Sequence, residues 1–244
     1  SAGGALSIVT KTGTNDLHGS AFGFFRDNAL RAKSELEQKK NEYSRQQYGG
    51  TIGGPITKDR VHFFGSFEQV SENSFVLFRP GGAYASKAAD LKVPFDQSLF
   101  YAGLDTRMRD NQNLRFKFVY ERFRQENFRV GAVVDETAGM KLDRDNYNLS
   151  ATHAWTLGNS SLNQLAIQFG RRAFDEPNNS QSIAEYFSSG TTLQTGANIV
   201  GDQNDTGDVF EIRDTFYMRV GSGTWAQDLK FGGAWQYVRD DWNF

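Results

Sequence analysis

Apolar and polar residues alternate along much of the chain with period two, the mark of strands with two unlike faces. From Phe100, one face reads Phe100, Ala102, Leu104, Thr106 and Met108, and the other Tyr101, Gly103, Asp105, Arg107 and Arg109. The next segment sets Leu114, Phe116, Phe118 and Tyr120 against Arg115, Lys117, Val119 and Glu121. Around 147 the apolar face is Tyr147, Leu149, Ala151, His153, Trp155 and Leu157. After 161 it is Leu165, Ile167 and Phe169, and near the end Trp225, Leu229, Phe231, Trp235 and Tyr237. The segment from 209 is less clean, because Asp214 falls on the face of Phe210, Ile212, Phe216 and Met218. Weaker, Gly-rich alternation places three earlier strands near 17–28, 45–56 and 60–72. The expectation is an antiparallel meander of about nine strands, most much longer than the ~5–6 residues usual in soluble sheets.

Connection lengths carry a second signal. Four connections are short and made of turn residues: Thr57-Lys58-Asp59, Asp110-Asn111-Gln112-Asn113, Gly158-Asn159-Ser160-Ser161 and Gly221-Ser222-Gly223-Thr224. Four are long, roughly 29–44, 73–97, 127–143 and 175–206, and the two kinds alternate strictly. A transmembrane barrel has this form, with tight turns on one rim and long loops on the other. The aromatic face then meets lipid and the polar face lines the lumen. Aromatics at Phe63, Phe64, Tyr120, Phe123, Trp155, Trp225, Trp235 and Tyr237 fit interfacial girdles. An odd number of strands leaves the last one unpaired, so an open edge is expected near 224–239.

Composition sharpens this picture. Apolar residues reach only 38% of the 244, yet aromatics reach 14%, which excludes a disordered chain. No run approaches the ~18 apolar residues of a spanning helix. A net charge of −2 gives no electrostatic case for a nucleic-acid partner. The absence of Cys removes disulfides, Cys-ligated zinc and Cys nucleophiles. The charged stretch 31–42 could form a short helix, but it falls in a long loop and reads as a solvated face. Both ends read as cut, so a piece of a longer protein is expected.

The early blocks carry a resemblance. Gly3-Gly4-Ala5-Leu6-Ser7-Ile8-Val9 followed by Thr10-Lys11-Thr12-Gly13-Thr14-Asn15 resembles the end of the plug domain of TonB-dependent outer-membrane receptors. His18-Gly19-Ser20-Ala21-Phe22, with Phe24-Phe25-Arg26-Asp27, looks like the first barrel strand of the Oar-like subgroup. Gln47-Tyr48-Gly49-Gly50-Thr51-Ile52-Gly53-Gly54-Pro55-Ile56 is similar to the second strand. Lys58-Asp59-Arg60 and Phe63-Phe64-Gly65-Ser66-Phe67-Glu68 resemble the first periplasmic turn and third strand, and Leu229-Lys230-Phe231-Gly232-Gly233 a recurrent later one. Matches are dense over 3–70 and sparse beyond.

The resemblance implies a cell outer membrane location. It implies residues 1–15 as the last plug strand and 16–244 as the N-terminal part of a barrel of about 22 strands. It also implies energised uptake of a scarce or bulky ligand, with three partners. These are outer-membrane lipid, the transported ligand, and a TonB complex acting through a part of the protein outside this chain. Gly19, Gly23, Gly49, Gly50, Gly53 and Gly54 either admit close approach of a plug or mark bulges and twist.

No enzyme chemistry is readable. His18, His62 and His153 share no ligand spacing, so no metal site is assigned. The acidic stretch 201–208 has oxygen ligands but lacks a full calcium-loop pattern, and reads as a solvated loop tip. Asp240 and Asp241 point to opposite faces of a strand and cannot face each other as an acid/base pair. Asp135-Glu136 has no evident partner, and no catalytic, cofactor-binding or metal residue is assigned. Arg171-Arg172 and the Arg107/Arg109 and Arg115/Lys117 rows either draw anions into the lumen or pair with acids there. Ligand recognition is expected in loops 73–97 and 175–206, with no contact residue named. A soluble all-β carbohydrate-binding module is the alternative; it predicts one exposed aromatic platform. An all-β glycoside hydrolase would need a facing carboxylate pair. Whether every long loop lies on one rim discriminates the readings.

Overall fold

A computed structural model describes residues 10–30, 32, 40, 42–187 and 193–243. Its strands are β1 (His18–Asp27), β2 (Ser44–Thr57), β3 (Val61–Asn73), β4 (Phe75–Phe78), β5 (Ala89–Lys92), β6 (Phe95–Arg109) and β7 (Gln112–Phe128). They continue as β8 (Met140–Leu157), β9 (Ser161–Glu176), β10 (Glu185–Phe187), β11 (Leu193–Thr195), β12 (Gln203–Val220) and β13 (Gln227–Asn243). Nine of them form one antiparallel sheet in the order β1-β2-β3-β6-β7-β8-β9-β12-β13. The other four make two small hairpins, β4-β5 and β10-β11, inside the long loops. Every neighbour in the large sheet is also the next long strand in sequence, so the meander is complete. All long loops lie on one rim and all tight turns on the other, because antiparallel neighbours joined in series can only alternate.

Register fixes the faces. One cross-strand row reads Ala102, Phe118, Leu149, Phe169, Phe210 and Tyr237. The adjacent row on the other face reads Gly103, Lys117, Ser150, Gln168, Glu211 and Gln236. On the apolar face Phe67, Phe100, Phe116, Leu149, Ile167, Phe231 and Trp235 are all exposed. Among the described residues no second layer of protein covers them, and a surface of this extent in water would be a large association patch. Among the described residues the buried apolar ones lie elsewhere: Phe78, Val93, Ala138 and Leu193 sit in the long loops, Met140 and Leu142 at the long-loop end of β8, and Phe64 and Val70 in β3.

The strands outlast the apolar band. β8 has 18 residues, close to 60 Å at about 3.3 Å per residue, whereas a lipid-facing band is about 25 Å tall. Beyond Phe100, Tyr120 and Tyr147 the same face turns polar, through Ser98, Arg122 and Asp145 and then Asp96, Arg124 and Asp143. Arg124 ties this collar together, 3.1 Å from Asp143 and 2.5 Å from Asp145. This explains why three strands start earlier than the alternation predicts. β6 begins at Phe95, β8 at Met140 and β12 at Gln203. Where both faces are wet, the ladder continues but alternation stops marking it.

Other expectations are corrected in detail. Gln112 and Asn113 belong to β7, leaving Asp110 and Asn111 as the tight turn. Phe64 and Phe123 are not girdle residues, since parity places them on the polar face. There Phe64 packs 6.0 Å from Tyr101, and Phe123 stacks at 5.5 Å on Phe95. Trp235 lies mid-strand in β13, opposite Ile212. The acidic stretch 201–208 is mostly strand, with Asp205 held at 2.5 Å by Arg172 and Asp208 at 3.6 Å by Arg171. The stretch 31–42 lies largely outside the described residues. Among the described residues the sheet is open: β13 pairs only with β12 and β1 only with β2. The expected open edge is thus β13 itself.

Candidate ligand-facing site

Three long loops are stitched into one layer by backbone hydrogen bonds. The Ala132 amide donates to Leu77 O (2.8 Å), and the Arg79 amide donates to Ala132 O (2.7 Å). One residue on, the Gln194 amide donates to Val133 O (2.9 Å), and the Asp135 amide to Gln194 O (3.0 Å). Segment 131–134 therefore bridges the β4-β5 and β10-β11 hairpins. Apolar burial sits beneath the stitch, with Met140 fully enclosed. Asn198 Nδ2 donates to Ala138 O at 2.7 Å. Arg129 answers the buried Glu176 carboxylate at 2.8 Å. Above it, the Tyr84 and Phe187 rings meet at 5.4 Å, joining the two loops singled out in the sequence.

The middle loop, 129–139, carries no such prediction, yet it is the keystone. Its signals were Asn127, Gly131 and Gly139 beside the short run Val130, Val133 and Val134. Asn127, Arg129 and Ala132 all hold positive φ, which folds the loop back on itself. Asp135 organises its tip: its carboxylate accepts from Thr137 Oγ1 (2.6 Å) and the Thr137 and Ala138 amides (2.9 and 3.2 Å). Burial alone would raise its pKa, but the Thr137 and Thr195 hydroxyls and these amides outweigh it and hold the carboxyl below its usual value. Glu136, its neighbour, accepts from Asn127 Nδ2 at 2.9 Å.

At the tight-turn rim, Thr12 and Gly13, in the segment that leads into β1, lie against the polar face. Gly13 comes so close that a Cβ there would stand 2.2 Å from Phe63 O and 2.9 Å from Gly54 O. That approach depends on Gly13 itself, whereas a Cβ on Gly54 would meet its cross-strand neighbour Leu17 at 3.0 Å. Asn15 then grips the first turn. It donates to Asp59 Oδ1 (2.5 Å) and accepts from the Asp59 amide (2.8 Å), and its Oδ1 lies 2.7 Å from His62 Nε2. Asp59 itself has φ +63°, the strained corner of the turn.

Between this segment and the polar face lies a basin of about 430 Å³. Arg60, His62, Arg107, Arg115, Lys117 and Gln164 line it. Arg115 pairs with Asp105, as Arg172 pairs with Asp205 and Asp240, and Arg171 with Asp208. Arg60, Arg107 and Lys117 form no ion pair among the described residues. Pairing thus accounts for part of the cationic rows, and the basin keeps an unbalanced positive field. The three histidines fall apart: His18 by Asp16 O, His62 on Asn15, His153 on the apolar face. Asp240 and Asp241 take separate partners on opposite faces, Arg172 and Arg239. No group of three or more His, Cys, Asp or Glu able to hold a metal occurs among the described residues.

Residues 9–78 match the family model described as an outer membrane beta barrel domain. A 75-residue stretch is 32% identical to the TonB-dependent transporter Oar of Myxococcus xanthus, over 28% of this chain and 7% of that protein. The sheet superposes on the outer membrane transporter YddB of Escherichia coli with a TM-score of 0.63 at 8% identity, over 81% of this chain and 26% of that one. It also superposes on a mutant of the ferric enterobactin receptor PfeA of Pseudomonas aeruginosa, TM-score 0.61 at 14% identity, over 95% and 32%. The fold is that of part of an outer-membrane transporter barrel.

The exposed apolar face of this outer-membrane barrel is accordingly its lipid surface, and the polar face its lumen. The stitched loops crown the extracellular rim, and Asn15 holds the periplasmic one. The chain spans a small part of the length of the curated relative it matches. Its relatives and structural neighbours are transporters and receptors rather than enzymes.

Proposed function

We propose that this chain supplies the first part of the barrel of a TonB-dependent receptor, and that the receptor takes up a scarce or bulky ligand. On this reading residues 1–15 close the plug and 16–244 begin the barrel; residues 1–9 lie outside the described ones. The Asn15 clamp is the observation that carries it. A segment that crosses the lumen face and is bolted to the first periplasmic turn before becoming β1 is what a plug-to-barrel junction requires. The stitched layer of loops 73–97, 127–143 and 175–206 faces the ligand, and the cationic basin lies on the path beneath. Energy comes from a TonB complex pulling on a part of the protein outside this chain.

The test uses the full-length protein. An antibody against this chain should detect, in the outer-membrane fraction, a band several times heavier than the 27.4 kDa of the chain. That protein should bind the purified periplasmic domain of TonB. A soluble band near 27.4 kDa would sink the receptor reading, and an outer-membrane protein blind to TonB would sink the energised part alone.

A further inference from the structure

The lipid face carries one feature that neither a girdle nor a lumen explains. Along the outward apolar runs of β6 to β13, Tyr apart, the titratable side chains among the described residues are His153 and Asp214. Register is continuous through both: His153 pairs with Leu165, Leu165 with Asp214, and Asp214 with Gly233. Neither residue is therefore turned outward by a bulge. Asp214 lies midway along the outward run 210–220, between Ile212 and Phe216, at the middle depth of the band.

Asn163 Nδ2 donates to Asp214 Oδ1 at 2.8 Å, but no ion pair reaches the carboxylate among the described residues. Across from it the Gly233 side-chain position opens on empty space, so a notch leads to the acid from outside. Lipid cannot answer it, since headgroups sit at the edges of the band and the tails offer neither charge nor donor. An ionisable group at this depth calls for a partner. His153 of the same chain is two strands away, roughly 10 Å, with Leu165 between them.

The pair is self-complementary. One acid and one base stand in the same row on either side of β9. A twofold axis along the membrane normal, passing by Leu165, brings the His153 of each copy opposite the Asp214 of the other. Strand tilt of about 40° offsets the two groups by roughly 6 Å in height, a gap that an imidazole and a carboxylate together span. Ile167, Trp155, Phe216 and Trp235 flank the axis with apolar surface.

We propose that the β8-β9-β12 face is an isologous dimer interface within the outer membrane, closed by two reciprocal His153–Asp214 pairs with Leu165 at the axis. The proposal depends on the barrel's place in the membrane and not on TonB-driven uptake.

The experiment uses the full-length protein in native outer membranes, with Leu165→Cys as the reporter. Mild oxidation is expected to give a reducible band at twice the monomer mass, while Leu104→Cys on β6 gives none. Single exchanges His153→Asp and Asp214→His should each cut the cross-link at least tenfold, and the double exchange should restore at least half. If a single exchange fails to insert, His153→Gln and Asp214→Asn keep size and are expected to weaken the band in inserted protein. A Leu165→Cys protein that inserts but stays monomeric overturns the proposal. So does a cross-link to a different polypeptide, a band indifferent to both single changes, or a double exchange that restores nothing.

Discussion

Replacing Met140 with alanine tests whether the extracellular loops are one cooperative unit. Met140 is fully buried where the 129–139 loop enters β8, and its neighbours Lys141 and Gly139 bond to Pro177 and Asn179 of the next loop. Truncating a buried Met costs about 2–5 kcal/mol. At about 1.4 kcal/mol per factor of ten, local opening becomes roughly 30-fold or more easier. Amide hydrogen exchange on the folded full-length protein reads this directly. The Lys141 and Asn179 amides should accelerate, and so should those of Ala132 and Gln194, which lie in the stitch further off. The β7-β8 ladder between Leu114 and Tyr120 should keep its wild-type rate. Acceleration confined to Lys141 and Asn179 would show that the loops open one by one, and the single-layer argument would fall.

Asn15→Ala removes the three contacts to Asp59 and His62. At about 0.5–1.5 kcal/mol per hydrogen bond, the turn should loosen by about 1.5–4.5 kcal/mol, seen as faster exchange at Asp59 with the rest of β2 and β3 unchanged. Arg129→Met strands the Glu176 carboxylate, 1% exposed, without its cation. A loss of about 1–3 kcal/mol is expected, largely recovered by adding Glu176→Gln, in a thermal melt of both variants. Asp135 gives the pH dependence. Its folded pKa lies below the unfolded 3.8, so its stabilisation is present above that value and lost as pH falls through the folded one. Protection of the loop amides, relative to their intrinsic exchange at each pH, should fall on acidification across that window, and Asp135→Asn should flatten the response.

The sheet was legible because lipid and water act on alternate residues, and a period of two survives in segments such as Phe100 to Met108. It was illegible wherever that contrast ends. The first seven residues of β8, from Met140 to Asn146, are strand with a wet collar outside, so hydropathy says nothing about them. Connection lengths placed the loops on one rim but could not reveal their stitch, which is made by backbone groups that no side chain announces. Phe64 and Phe123 show the converse error, since an aromatic near a strand end is not a girdle residue unless its parity turns it outward. The break in pattern at Asp214 was visible from the start. What composition could not supply was its cross-strand company of Asn163, Leu165 and Gly233.

The loop stitch joins Leu77 to Ala132 and Val133 to Gln194, partners that lie far apart in sequence. Such contacts form late, because long stretches of chain must already be in place before they can close. Together they require β3, β6, β7, β8, β9 and β12 to stand in correct register, since a slip of one residue would carry the loops past one another. The stitch therefore records the history of assembly: its closure certifies, at the cell surface, that the wall below was zipped without error.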